Sequence, residues 1–153
     1  MFTEIEQQTL DIDWFFTDQI NIAFAASGGG KLPSSFTKIQ KNEMLVLYFR
    51  SLPEISEVII NKDLINILPH KIDKEYLADF VFMSKKGLYS FDKTNVGNFS
   101  DTNYHLVCKP TNPLKLQDLS TEIKEILINI SFNKSLNQTL GINTEEFNEL
   151  GCS

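Results

Sequence analysis

Residues 12–27, IDWFFTDQINIAFAAS, decide the fold that the sequence predicts. Apolar side chains occupy every second position from Ile12 to Phe16 and again from Ile20 to Ala26, which is the period of a β-strand. The polar pair Asp18-Gln19 separates the two runs and is typical of a turn. This stretch therefore predicts a β-hairpin. Because both faces of its first strand carry an aromatic ring, we expect other elements to cover the hairpin on both sides.

The rest of the chain predicts helices and two further strands. Helical patterns cover residues 36–52, 54–68 (with an interruption at 61–63), 73–86, 119–130 and 144–150. Strand patterns cover residues 88–92 and 104–109, and a polar loop joins them. No repeat or linker divides the sequence. We therefore expect one α+β domain over residues 1–153, in which a single antiparallel sheet starts with the N-terminal hairpin and packs against several helices.

Composition and charge exclude several classes of protein. The 153 residues carry a net charge of −6, and no basic face is visible, so nucleic acid is not an expected partner. The first residues have no basic segment followed by an apolar one, and no apolar run is long enough to span a membrane. We expect a cytoplasmic protein that does not bind membranes. Its two cysteines, Cys108 and Cys152, are then free thiols.

The glycine-rich segment Gly28-Gly29-Gly30-Lys31 deserves comparison with phosphate-binding loops. A Walker A loop needs a glycine where this chain has Ala25 and a serine or threonine where it has Leu32. The three consecutive glycines do not supply the dinucleotide-binding pattern either. A flexible connection between the hairpin and the next helix is the simpler interpretation. Anion binding at the start of that helix is the alternative, and it leaves open a small-ligand or phosphate-binding protein or enzyme.

The remaining candidate residues predict no catalytic, cofactor-binding or metal-binding site. His70 follows a proline in a loop, and His105 suits a hydrogen-bonded structural role in a strand. Two histidines and two cysteines have no zinc-ligand spacing. His105 and Cys108 lie three positions apart in one predicted strand, so they should point to opposite faces and not form a nucleophile–base pair.

Four residues are the candidates for contact with a protein partner: Asp13, Trp14, Asp18 and Asp101. An exposed tryptophan can anchor an interface, and acidic groups attract a basic protein. Each has a simpler alternative. Trp14 can be a core residue of the hairpin, and Asp13 and Asp18 can make turn or cap hydrogen bonds.

Two stretches resemble a group of small bacterial cytosolic proteins. The first contains Asp13-Trp14-Phe15, Asp18, Ile22-Ala23, Ser27-Gly28-Gly29-Gly30 and Pro33. The second contains Gly87-Leu88-Tyr89-Ser90-Phe91-Asp92, Tyr104, Lys109-Pro110, Pro113-Leu114 and Leu119. The likeness spans roughly residues 12–125, and its motifs of turns, aromatics and prolines preserve a fold without specifying a reaction. Members have a glycine in the first turn, where this chain has Gln19-Ile20-Asn21.

That group is similar to the immunity proteins found beside polymorphic or contact-dependent bacterial toxins. The resemblance implies a non-catalytic protein-binding module that neutralises a cognate toxin, with a protein partner such as a basic toxin domain. Two other functions stay open. The Gly28–Lys31 loop leaves a small-ligand protein or enzyme, and the richness in aromatic residues leaves a structural assembly component.

Overall fold

The structure is a computed structural model that describes residues 2–37 and 41–147. These residues form six strands: β1 (Asp13–Thr17), β2 (Ile22–Ala26), β3 (Val58–Ile60), β4 (Tyr89–Lys93), β5 (Asn103–Pro110) and β6 (Gly141–Asn143). They also form six α-helices: α1 (Glu4–Thr9), α2 (Ser34–Thr37), α3 (Asn42–Ser51), α4 (Leu64–Ile67), α5 (Lys74–Ser84) and α6 (Thr121–Leu127). Three short 3₁₀ helices lie at Leu116–Asp118, Leu136–Gln138 and Thr144–Glu146.

The predicted hairpin is confirmed as β1 and β2, which pair antiparallel from Asp13–Ala26 to Thr17–Ile22. Gln19 in the turn has a φ of +79°, in the left-handed region that glycine adopts without strain. Residues 14–17 and 22–26 are all buried, which confirms that the hairpin is covered on both sides.

One sheet holds the strands in the order β1-β2-β4-β5-β3, and β6 also pairs with β5. Every pair is antiparallel except β2 with β4, which run parallel. A parallel pair needs a long crossover, and residues 27–88 supply it through α2 to α5. The α+β class and the mostly antiparallel sheet are therefore as predicted, with one parallel pair added.

Helices and the C-terminal segment cover the two faces of the sheet. On one face Phe15 stacks on Phe49 of α3 with ring centroids 4.7 Å apart, and α5 packs against β4 and β5. On the other face Trp14 packs against the rings of Phe36 and Phe147. Such aromatic contacts bury large apolar areas and account for much of the stability of a core of this size.

The helix predicted over residues 54–68 is wrong. Three residues of its first half, Val58–Ile60, form strand β3, which pairs antiparallel with residues 108–110 of β5. Four residues of its second half, Leu64–Ile67, form the single turn α4. Val58, Ile59 and Ile60 are three β-branched residues in a row, which lose rotamer freedom in a helix and suit a strand. Helical spacing of the apolar positions was the misleading signal.

Other differences are smaller. The predicted helix over residues 36–52 is the short α2 followed by α3, and residues 38–40 between them lie outside the described part of the chain. Helix α1, held by a capping box between Thr3 and Glu6, and strand β6 were not predicted. The predicted helix over residues 144–150 is a 3₁₀ turn at Thr144–Glu146, and residues 148–150 are outside the described part. Helices α5 and α6 and strands β4 and β5 confirm the remaining predictions.

Candidate functional site

Trp14 and Asp13 are neighbours in sequence but point to opposite faces of the sheet. Trp14 has no exposed surface and packs among aromatic rings. It is therefore a core residue of the hairpin and does not belong to a partner-binding surface. Asp13 is half-buried, and its Oδ2 accepts a hydrogen bond from Nη2 of Arg50 at 2.7 Å.

Asp18 holds the hairpin turn and one strand end. Its Oδ1 accepts the backbone N–H groups of Ile20 at 2.9 Å and Asn21 at 2.6 Å. Its Oδ2 accepts the N–H of Leu136 at 2.8 Å. Both carboxylate oxygens are therefore used within the chain, as the turn alternative predicted. Asp18 follows the last residue of β1, whereas Asp13 is the first, so the two lie at opposite ends of this strand.

Asp101 organises the loop between β4 and β5. Its Oδ1 accepts the N–H of Asn103 at 2.9 Å, and its Oδ2 accepts Nδ2 of Asn95 at 2.5 Å. These hydrogen bonds lower the pKa of Asp101 below its usual range. The backbone oxygen of Asp101 also accepts a hydrogen bond from Nζ of the buried Lys93. The four predicted partner residues thus do not form one surface.

Four aspartates, Asp11, Asp13, Asp79 and Asp92, define an acidic face. The charges of Asp11 and Asp79 act on Asp13, and Asp92 lies in the same cross-strand row as Asp13 through Ala26. Arg50 binds Asp79 through Nη1 at 2.8 Å and Nη2 at 3.0 Å, and it binds Asp13 through Nη2. Burial raises the pKa of Asp13, and the charges of Asp79 and Asp11 add to this effect, while Arg50 opposes it. In the described part of the chain Arg50 is the one cation ion-paired with the acidic face. Arg50 is ion-paired with two of the four carboxylates, so the acidic face carries an excess of negative charge.

Asp92 ends a partly buried chain of hydrogen bonds that starts in the loop after β4 and passes through β5 and α5. The Tyr76 hydroxyl lies 2.7 Å from Oδ2 of Asp92 and 3.1 Å from Nε2 of His105. Nδ1 of His105 lies 3.0 Å from Oγ1 of Thr94. Since an ionised carboxylate only accepts, Tyr76 donates to Asp92 and accepts from Nε2–H of His105. Nδ1 of His105 then accepts from Thr94. This polar chain, Thr94–His105–Tyr76–Asp92, assigns one tautomer to the histidine.

Burial shifts the pKa values of this polar chain. It raises the pKa of Asp92 to about 6, against a smaller opposing effect of the Tyr76 hydrogen bond. It lowers the pKa of His105 to about 4 and raises that of Tyr76. At neutral pH these shifts leave Asp92 ionised and His105 neutral, which are the forms on which the hydrogen-bond directions above depend. Both ring nitrogens of His105 are hydrogen-bonded, as the sequence predicted for this strand position.

A cleft of about 240 Å³ opens beside Asp92. Its apolar lining comes from Ile67, Leu68, Pro69 and Val96, and its polar lining from His70, Asp92, Lys93, Thr94 and Asn95. His70 is exposed, as predicted, and its ring packs edge-on against Tyr76 with centroids 5.0 Å apart. Sequence patterns do not predict this cleft, because its lining combines the end of α4 and the loop after it with the end of β4 and the loop after that strand.

His105 and Cys108 lie on the same face of the sheet, contrary to the prediction. A β-bulge shifts the register between β4 and β5, so that His105 pairs with Asp92 and Cys108 with Ser90, two positions apart. The pair is still not a nucleophile and base. Burial raises the pKa of Cys108 to about 11, and its Sγ donates to Oγ of Ser84 at 3.3 Å.

Backbone amides of the glycine-rich loop are used within the chain. Gly28 donates to Oδ1 of Asp11 at 2.9 Å, Gly30 to the backbone oxygen of Ser27 at 2.8 Å, and Leu32 to Oε1 of Gln7 at 2.9 Å. These amides are not available to a phosphate.

Packing explains why glycine is present in this loop. Gly28 and Gly29 have φ angles of +52° and +74°. A Cβ at Gly30 would lie 2.5 Å from Cδ of Lys93, whose side chain runs under the loop. The glycines therefore serve a close approach between two segments. Among the described residues, no group of three or more His, Cys, Asp or Glu side chains is placed to hold a metal ion.

Strand β3 forms an apolar edge of the sheet. Ile59 and Ile60 are 44% and 37% exposed, although they are β-branched residues in a strand. In the antiparallel ladder Asn61 N–H donates to Val107 and Thr111 N–H to Glu57, which leaves the N–H and C=O groups of Val58 and Ile60 pointing away from β5. An adjoining groove of about 420 Å³ is lined by Ile60, Asn61, Lys62, Leu64, Ile65, His70, Lys71 and Ile72.

No family model, curated protein or solved structure matches this chain. None of the helices formed by residues 2–37 and 41–147 is long and apolar enough to cross a membrane.

Proposed function

We propose that this chain is a non-catalytic protein-binding module whose acidic face binds a basic protein. The observation that carries the proposal is the grouping of Asp11, Asp13, Asp79 and Asp92, of which only Asp13 and Asp79 are ion-paired, both with Arg50, among the described residues. A surface with this excess of negative charge attracts basic partners over distances of about 10 Å at moderate salt. The net charge of −6 acts in the same direction.

The most concrete form of this function is an immunity protein that neutralises a cognate bacterial toxin. The resemblance of residues 12–125 to such proteins supports it, together with the negative surface. Toxin domains that act on nucleic acids carry basic surfaces, because their substrates are polyanions. An acidic inhibitor of such a domain associates rapidly through electrostatic steering.

The test starts with capture of partners by the tagged protein from its own cells, followed by binding kinetics with the recovered protein. The double variant Asp11→Asn/Asp79→Asn removes two charges from the acidic face while keeping side-chain size. We expect it to lower the association rate about tenfold at low salt and to flatten the salt dependence of that rate. The control variant Glu125→Gln/Glu145→Gln removes the same charge from exposed positions elsewhere and should leave the rate nearly unchanged.

Equal association rates for the two double variants would contradict the proposal that this face steers the partner. Recovery of the tagged protein alone would argue against protein binding altogether. Thermal-shift screening with nucleotides and sugar phosphates, with Lys31→Ala as the variant, would then examine the small-ligand alternative.

Self-association through β3 is the second candidate function. The exposed Ile59 and Ile60 and the outward-pointing backbone groups of Val58 and Ile60 suit the addition of another strand. Sedimentation at increasing concentration tests it, with Ile59→Lys as the variant that should abolish any dimer. A monomer at all concentrations would remove this candidate.

A further inference from the structure

Asp92 is a half-buried carboxylate without an ion-pair partner among the described residues, although the charge of His70, which lines the same cleft, acts on it. It belongs to none of the ion pairs formed by residues 2–37 and 41–147, although its Oδ2 accepts the Tyr76 hydroxyl at 2.7 Å. Lys93 is adjacent in sequence, but neighbouring residues of a strand point to opposite faces, and its Nζ donates to the backbone oxygen of Asp101. Arg50 is occupied by Asp13 and Asp79. An opposite charge close by stabilises a carboxylate that is partly removed from water, so a cation beside Asp92 would be favourable.

The cleft beside Asp92 has the shape and lining that a long aliphatic cation needs. Leu68, Pro69 and Val96 supply apolar walls, and Val96 is 69% exposed at the rim. Methylene groups of a lysine side chain pack against such walls while the charged end reaches a polar group. A volume of about 240 Å³ is smaller than the clefts that hold drug-sized ligands, which suits one side chain.

The polar chain distinguishes an ammonium from a guanidinium. An arginine binds a carboxylate best through both oxygens at once. Here Oδ2 of Asp92 already accepts the Tyr76 hydroxyl, and His105 and Thr94 hold that hydroxyl in place. The backbone N–H of Lys93 also donates to this carboxylate, which is therefore held in orientation by two donors. One further contact suits a compact ammonium, whereas the paired contacts of a guanidinium would compete with these donors.

Asp92 and Asp13 lie in one row across the sheet, because Asp13 pairs with Ala26 and Ala26 with Asp92. Two strand spacings separate them by about 10 Å. The cleft thus opens within the acidic face, where the proposed basic partner would bind. We propose that the cleft receives the side chain of a lysine presented by that partner, with the ammonium bound to Asp92. This inference rests on the proposed function and adds the residue type that the partner inserts.

The probe is the capped tripeptide acetyl-Gly-Lys-Gly-amide, followed by the amide shifts of Thr94, Asn95 and Val96 in ¹⁵N NMR spectra at neutral pH. We expect saturable shifts with a dissociation constant on the order of millimolar, since one side chain contributes few atoms. Asp92→Asn should weaken binding at least tenfold, whereas the exposed control Asp63→Asn should not change it. The same peptide with an acetylated lysine keeps the stem, loses the charge and should not bind.

Three results would overturn the assignment. The first is the absence of saturable shifts with the lysine peptide, and the second is equal binding by Asp92→Asn and the wild type. The third is binding of n-butylammonium without binding of the peptide, which would make the cleft a site for small free amines. If the captured partner binds Asp92→Asn as tightly as the wild type, the lysine assignment fails while the protein-binding function stands. If no partner is captured but the lysine peptide binds, the cleft is a lysine site and the protein-binding function fails.

Discussion

Asp92 and His105 lie directly opposite each other in the β4–β5 ladder, and burial favours the neutral form of each. The Tyr76 hydroxyl joins them, at 2.7 Å from the carboxylate and 3.1 Å from the imidazole. Their pKa values move in opposite directions, to about 6 for Asp92 and about 4 for His105. This relationship has a measurable consequence for stability.

Between pH 4 and 6 the two groups should change stability with opposite signs. In this range Asp92 holds a proton in the folded protein that it has lost in the unfolded chain. The contribution of Asp92 to the free energy of unfolding therefore falls as the pH rises. His105 holds a proton in the unfolded chain that burial excludes from the folded protein. The contribution of His105 to the free energy of unfolding therefore increases with pH, up to the ordinary histidine pKa of 6.5. The two slopes nearly cancel in the wild type.

Single substitutions should reveal the pH dependence of stability that each of the two residues contributes. Relative to the wild type, the free energy of unfolding of Asp92→Asn should rise by roughly 2–3 kcal/mol between pH 4 and 6, at about 1.4 kcal/mol per pH unit. For His105→Gln it should fall over the same range. Urea unfolding across this pH range measures both. Parallel curves for the three proteins would show that neither group is shifted in the folded state.

The turn residue Gln19 should tolerate glycine better than alanine. Its φ of +79° costs about 1–2 kcal/mol for a residue with a Cβ, and glycine removes that cost. Both substitutions lose the hydrogen bond from Nε2 of Gln19 to Oγ of Ser131, so the comparison isolates the backbone. We expect Gln19→Gly to be more stable than Gln19→Ala by about 1 kcal/mol in thermal or urea unfolding. Equal stability would mean that the turn relaxes to another conformation.

Gly87 and Gly97 separate backbone strain from steric conflict. Their φ angles are similar, +96° and +92°, so alanine strains the backbone at both. A Cβ at Gly87 would lie 2.5 Å from the backbone nitrogen of Leu114, whereas at Gly97 nothing lies within 4 Å. Gly87→Ala should therefore be the more destabilising by about 1–3 kcal/mol in urea unfolding. A similar loss for both variants would show that the segment at Leu114 shifts without cost.

Cys108 should be unreactive in the folded protein. Its side chain has no exposed surface, and burial raises its pKa to about 11, so very little thiolate forms at pH 8. The variant Cys152→Ser leaves Cys108 as the single cysteine. Iodoacetamide should label this variant rapidly in urea and negligibly without it, as read by mass spectrometry. Labelling at the same rate under both conditions would contradict the buried position.

Part of the candidate site could be foreseen from local sequence. Turn hydrogen bonds are one of the two roles predicted for Asp18, and it forms them. Asp101 is predicted only as a partner residue, and its local hydrogen bonds are a finding of the structure. Sequence patterns do not predict that the residues of the polar chain lie together. Tyr76 occupies an apolar position of the helical pattern over residues 73–86. No local pattern places it beside Asp92 and His105, which are 16 and 29 positions away.

The sequence by itself determined the elements that local patterns encode: the hairpin β1–β2, helix α5 and strands β4 and β5. Alternation of apolar residues and turn residues act over a few positions, so they can be read without the rest of the chain. Only the tertiary structure decided that residues 58–60 form an edge strand, that β2 and β4 run parallel, and that the bulge turns Cys108 towards the face of His105. These features depend on pairing between segments far apart in sequence. Such pairing is favourable only when the whole sheet and its covering helices bury their apolar faces together.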